Sequence, residues 1–240
     1  MDLSEREREE GRRAVHSESI PFQDWVQQRG GRIDVEGLVP FTRWLTPANI
    51  PKRFSTQMYL YFLPLNTSLD SRTDQSQLHS PTPDGGIEHT AARFLYPREW
   101  LDLALADSVV LFPPQFFLLS LIAPFLAAPS TADPADSTEQ FFREQRQRLM
   151  EFVEEDGDPK WGEKCISPNP IKQVGRFLIM GMGDAGPEVE GWGRRGDGER
   201  VLRVEVGGDG DRDRDRGRRR MVPREVVWRR DVLGEEGGKL

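Results

Sequence analysis

Apolar residues concentrate between about residues 38 and 126, and their spacing changes character along that stretch. Residues 38–45 and 56–64 read as strands. In the second, Tyr59, Tyr61 and Leu63 alternate with Met58, Leu60 and Phe62, so both faces are apolar. That pattern predicts a strand buried on both sides, in the middle of a layered domain. The turn between them, Thr46-Pro47 to Pro51-Lys52-Arg53, holds two prolines and two cations. Proline fixes φ and stiffens such a loop. A stiff basic loop at the lip of a sheet is a reasonable place to hold an anion.

The remaining elements follow from the same periodicities. Residues 17–29 predict a short helix with Ser19 as cap, Pro21 in the first turn, and Phe22, Trp25 and Val26 on one face, ended by Gly30-Gly31. Residues 66–86 are polar and Pro-containing without periodicity, which predicts a mobile insertion. A strand is expected from Glu88 to Leu95, then a helix from Pro97 to about 106. Val109–Phe112 reads as a short buried strand. An apolar helix from Pro113 to about Leu126 follows, with Phe116, Leu119, Ile122 and Leu126 at helical spacing. Residues 128–137 read as a linker and 138–155 as a charged helix. Strand-like pieces at 175–180, 200–206 and 221–229 complete the chain, separated by Gly- and charge-rich loops. The run around Asp209 to Arg220 reads as a disordered, solvated hairpin tip. The expected organisation is a charged segment 1–13, a core 14–127, the linker, a helix and hairpin region 138–233, and a tail 234–240.

Composition narrows the function. The chain has 240 residues, 36% hydrophobic and 30% charged, with a net charge of −7. That balance argues against nucleic-acid binding, which needs a basic footprint, and interleaved Asp cancels most Arg charge in the 209–220 run. One cysteine, Cys165, forms no internal disulfide. The first residues are charged, so no secretory signal is expected. The most apolar stretch, Phe116–Ala128, is about 13 residues and contains Pro124, too short for the ~20 residues of a membrane span. Gly181 to Gly186 matches G-x-G-x-x-G, but Pro187 and EVEGWGRRGDG follow where a dinucleotide site needs a helix, so it reads as a turn.

Several motifs in order carry a resemblance. WLTP, PKRFST and the aromatic strand ending at Leu65 come first, then DGGIEHTAARFLYPREWL (Asp84–Leu101) and VVLFPPQFFLLSL (Val109–Leu121). WGEKCISP (Trp161–Pro168) and REVVWRRDVL (Arg224–Leu233) follow. Together they resemble Nudix hydrolases of the acyl-coenzyme A diphosphatase type, most closely fungal members, over most of the chain from about residue 14. The resemblance implies an α/β (α+β) fold, a partial Nudix α/β/α sandwich with a mixed sheet. It implies cleavage of the diphosphate bond of coenzyme A, an acyl-coenzyme A or a related nucleoside diphosphate derivative. It also implies Mg²⁺ or Mn²⁺, a small nucleotide-type ligand, and a peroxisomal or mitochondrial address, otherwise cytoplasmic. The end Gly238-Lys239-Leu240 loosely resembles the peroxisomal S-K-L signal.

The family's Nudix box, G-x5-E-x7-R-E-U-x-E-E-x-G-U with U apolar, gathers metal-binding carboxylates on one helix face. It does not occur in these 240 residues. The nearest imitation, Arg6-Glu7-Arg8-Glu9-Glu10-Gly11, has Gly where the second Glu of the pair belongs and Arg8 at an apolar position. Residues 1–13 therefore read as a solvated, mixed-charge helix start. The chain is expected to begin just after the catalytic helix, to lose its sheet's N-terminal strands, and to be inactive alone. The alternatives are a non-catalytic module that binds coenzyme A-like ligands or proteins, and an unstable truncated fragment.

Among individual residues, Glu88 is the catalytic candidate by resemblance, at a place where related hydrolases carry an acid beyond the box; its other reading is an exposed loop carboxylate. His89 beside it is a weaker candidate ligand, and His16 and His79 carry no signal. Arg53, with Lys52, is the candidate phosphate contact, because a guanidinium fork matches phosphate oxygens; the alternative is that it caps a turn or pairs with Asp or Glu. Trp44 and Phe54 are candidates to stack an adenine, or else core residues. No metal ligand set is expected.

Overall fold

Ser4 starts the first helix. In the computed structural model, which describes residues 3–63, 65, 93–129, 135–155, 157–189, 191, 193–207 and 221–234, α1 runs Glu5–His16 behind a capping box in which Ser4 and Glu7 satisfy each other's backbone N–H groups. Its carboxylates and cations pair along the helix, Arg6 with Glu10 and both Arg12 and Arg13 with Glu9. This is the solvated mixed-charge helix its sequence predicts. Helix α2 (Phe22–Gln28) is shorter than the expected 17–29. Its cap position is Pro21, and Ser19 instead bonds Ser17. Gly11 lets the α2 ring of Trp25 lie against α1, since a Cβ there would meet it at 2.1 Å.

The chain divides by packing into two units, Met1–Leu38 with Asn66–Phe94, and Val39–Leu65 with Leu95–Leu240. The second unit holds the sheets. Strands β1 (Leu38–Leu45), β2 (Ser55–Tyr61) and β3 (Cys165–Ile166) form one sheet in the order β2-β1-β3, with β1 and β3 parallel through Arg43–Cys165 and Trp44–Ile166. Strands β4 (Asn169–Val174), β5 (Phe177–Met182), β6 (Asp197–Val206) and β7 (Met221–Trp228) form an antiparallel meander. Helices α3 (Pro97–Leu105), α4 (Pro113–Ile122), α5 (Ala135–Glu154) and α6 (Arg229–Leu233) complete it. The fold is α+β, the class expected.

One core joins these elements. Phe41, Trp44, Phe117, Leu149, Trp161 and Leu202 are all 5% exposed or less. An aromatic run Phe41–Trp161–Phe152–Phe125 has ring separations of 5.5, 5.2 and 5.0 Å. The buried Gln145 of α5 uses both ends of its amide on Ala127, accepting from its N–H at 2.8 Å and donating to its carbonyl at 3.1 Å.

Several expectations are corrected. Among the described residues β2 lies at the edge of its sheet, and the central, more buried strand is β1. The second apolar row of β2, Tyr59 and Tyr61, is nearly half exposed; tyrosine tolerates that through its polar tip. Val109–Phe112 forms no strand among the described residues, with Val109 in a bend and Val110 and Phe112 exposed. Pro113 biases the residue before it to extended backbone, and Phe112 serves as the N-cap of α4. That helix stops at Ile122, ahead of Pro124. Helix α5 begins at Ala135, inside the expected linker. Of the expected strand Glu88–Leu95, residues 93–95 are described and irregular. Strands β3 and β4 were not expected. The insertion 66–86 and the charged run from Asp209 to Arg220 lie outside the described residues.

Candidate functional site

Strand β1 reads F-T-R-W-L, with one cation set among apolar residues. Alternation sends Thr42 and Trp44 to one face and Arg43 with Leu45 to the other. On Arg43's face lies a small apolar cluster of Leu45, Cys165, Ala185 and Val189. Beside it opens a cavity of about 370 Å³, lined by Arg43, Leu45, Arg53, Phe54, Ser55, Val189 and Arg194. Three of these seven residues are arginines, and no carboxylate among the described residues lines it.

Each arginine is placed by local structure. The loop from Thr46 to Phe54 is closed by paired hydrogen bonds: Thr46 N–H donates to the Phe54 carbonyl at 3.0 Å, and Phe54 N–H donates to Thr46 Oγ1 at 3.0 Å. Arg53 donates from Nε and Nη2 to the Thr46 carbonyl at 3.1 and 2.9 Å. It thus caps its turn and still stands at the cavity wall. Arg43 donates from Nη1 to Ser55 Oγ on β2 at 3.3 Å, while its Nε is covered from solvent with no hydrogen-bond partner among the described residues. Arg194 reaches the cavity from the loop before β6. The field of these cations extends to Cys165 below. Burial pushes its thiol pKa up, and the charges of Arg194 and Arg43 pull the other way.

The structure brings together two of the residues expected from sequence, Arg53 and Phe54. Lys52 sits over the Phe54 ring at 5.2 Å, next to the cavity but not in its wall. Trp44 lies in the core, 4% exposed, donating to Thr42 Oγ1 at 2.9 Å and meeting Phe117 edge-on. Glu88, His89 and His79 lie outside the described residues. Sequence reading missed Arg43 and Arg194. A charge inside the apolar row of β1 was the available signal for the first; the Gly-rich loop around Arg194 carried none.

The described residues do not fit a metal. Among them no three His, Cys, Asp or Glu side chains converge, and of the α1 carboxylates Glu7 is held by Ser4, Glu9 by Arg12 and Arg13, and Glu10 by Arg6. Nor is any described helix long and apolar enough to cross a membrane.

Behind β3 lies an ionic knot. The fully buried Asp197 accepts from Arg200 Nη1 at 2.9 Å and from the Glu199 N–H at 3.0 Å, with Lys164 Nζ 4.0 Å away. Both cations rest on Trp161, at 4.5 and 5.6 Å from its ring. Burial is the main cause of a lowered Lys164 pKa, partly opposed by Asp197. The unfolded chain then binds this proton more tightly than the folded one. Lys164 therefore destabilises the fold while charged, and that cost is relieved as pH rises towards the unfolded lysine value of about 10.4. As pH rises towards that value the urea midpoint of the natural chain is expected to gain on that of Lys164→Met; a constant difference would remove this account.

Fold and cavity together define an α+β protein with a cationic pocket suited to an anionic ligand. The chain is similar to the "Putative nudix hydrolase 7" of Caenorhabditis elegans, 26% identical over 155 residues, which make up 64% of this chain and 39% of that protein. It thus spans well under half the length of that relative. No family model and no solved structure matches. The similarity is to a Nudix hydrolase and covers part of each chain.

Proposed function

We propose that the chain holds a phosphate-bearing nucleotide derivative such as coenzyme A in the arginine cavity, within a Nudix-type diphosphatase function. The observation that carries this reading is the cavity wall, three arginines with no described carboxylate among them. Guanidinium groups recognise phosphate oxygens bidentately, and each charge-assisted bond contributes about 1.5–3 kcal/mol. Phe54, 58% exposed, offers a ring face at the rim for a base, and Lys52 adds charge beside it. Relatedness to a Nudix hydrolase makes a diphosphate linkage to a nucleoside the natural ligand class, with Mg²⁺ or Mn²⁺ as the metal of the hydrolytic reaction.

These 240 residues contain no Nudix box, and their described side chains fit no metal. The reading is therefore binding without turnover by this chain alone, with Glu88 as the acid to test for any residual catalysis. Purified chain with excess Mg²⁺ and coenzyme A is expected to bind the ligand in calorimetry and to release no 3′,5′-adenosine bisphosphate. Arg53→Ala is expected to weaken binding about tenfold, the effect of roughly 1.4 kcal/mol. Turnover that is lost in Glu88→Gln would replace binding alone with catalysis. Absence of any binding would remove the cavity from the function.

A further inference from the structure

We infer that the arginine cavity takes a terminal phosphomonoester, the end of a ligand, and not the internal diphosphate linkage. This rests on the reading of the cavity as an anion site and names which anion it selects. A monoester concentrates about −1.5 to −2 charges on three oxygens of one phosphorus. An internal diphosphate spreads two charges over two phosphorus atoms. Arg43, Arg53 and Arg194 reach this one space from three places in the chain: strand β1, the closed loop 46–54, and the loop before β6. Three cations converging on one space match a compact dianion.

Arg43 supplies the specific geometry. Its Nη1 is committed to Ser55 Oγ at 3.3 Å, whereas its Nε is buried with no hydrogen-bond partner among the described residues. A covered donor with no partner costs about 1–3 kcal/mol, and a phosphate oxygen would remove that cost once the Arg43 side chain, which lines the cavity, turns its Nε into reach. The Nε edge is the one a guanidinium uses for side-on contact with an oxyanion. Arg53 is pinned by two bonds to the Thr46 carbonyl, so its charge is in place before the ligand arrives. Size points the same way. At about 370 Å³ the cavity lies near the bottom of the ~300–1,000 Å³ range of ligand sites. It has room for a phosphate and part of a nucleoside, with the base against Phe54.

The test uses the full 240-residue chain and two probes with the same base. Adenosine 5′-monophosphate has a monoester; P1,P2-di(adenosine-5′) diphosphate has only an internal diphosphate. By calorimetry at pH 7.5 the monophosphate is expected to bind at least tenfold more tightly. Its affinity is expected to fall several-fold by pH 5, because the monoester loses its second charge near pH 6. The charged or titratable groups facing the phosphate are Arg43 on β1, Arg53 and Lys52 in the loop, Arg194, and Cys165 on β3, whose pKa is raised. No histidine or carboxylate is among them, so the pH effect belongs to the ligand. Arg43→Gln and Arg194→Gln are each expected to lose about tenfold for the monophosphate and less for the diphosphate. Where Arg43→Gln disturbs the fold by near-ultraviolet circular dichroism, the exposed Arg194 carries the test. Equal or tighter binding of the diphosphate overturns the inference and leaves an anion site standing. No binding of either probe overturns both.

Discussion

Replacing Asp197 with alanine is expected to remove about 3–5 kcal/mol of stability, the range for breaking a buried ion pair by deleting one partner. The carboxylate is fully buried at the start of β6 and neutralises two cations that are themselves largely covered. The side chain of Lys164 is 10% exposed and that of Arg200 is 18% exposed. Without Asp197 the two side chains would lie over the Trp161 ring with no counter-charge among the described residues but Glu199, which is 3.6 Å from Arg200 and mostly in solvent. The Glu199 N–H would lose its acceptor as well. The expected result is a large fall in the urea midpoint with an unchanged slope. Asp197→Asn keeps an acceptor for the Glu199 N–H but not the charge, so it separates hydrogen bonding from neutralisation. A loss under about 1 kcal/mol in Asp197→Ala would mean that water reaches both cations and that the knot is incidental to the fold.

This knot also shows where sequence reading ran out. Asp197 stands among glycines and other charges in a loop by its pattern, Arg200 opens the expected strand 200–206, and nothing local ties either to Lys164. Only the pairing of β5 with β6, which sets Met182 opposite Asp197, brings the carboxylate under cover. Elements governed by local chemistry were legible. Strand β1 occupies the expected residues 38–45, and α3 starts at the expected Pro97. Elements governed by partners were not. The polar β4, carrying Pro170 and a bulge between Pro170 and Lys172, is a strand because β5 pairs with it from one side. The two-residue β3 exists because β1 runs parallel beside it. Conversely Val109–Phe112 has strand composition and no strand to pair with among the described residues. The candidate site divides the same way. The loop chemistry of Thr46 to Phe54 pointed to Arg53 and Phe54, whereas Arg194 joins them only through contacts distant in sequence.

Gly196→Ala tests those distant contacts. A Cβ at Gly196 would lie 1.8 Å from the Met182 carbonyl oxygen and 3.1 Å from that of Cys165. Both obstacles are backbone at the ends of β5 and β3, so no side-chain rotation relieves them. The segment cannot simply slide away. Gly196 N–H donates to the Gly183 carbonyl at 3.0 Å, and the Arg195 carbonyl accepts from Cys165 N–H at 3.0 Å. Moving it would also shift Arg194 on one side and Asp197 on the other, coupling the anion cavity to the ionic knot. The expected result is a loss of at least 3 kcal/mol, at or beyond the upper end for overpacked sites, together with much weaker phosphate binding. Gly198→Ala is the control, since a Cβ there meets nothing within 4 Å, and it should leave both properties within experimental error. A Gly196→Ala chain that kept its stability but lost anion binding would place the rigidity of residues 194–196 in the service of the cavity alone. One that kept both would show that this segment is free to move and that Arg194 is not fixed at the cavity by the fold.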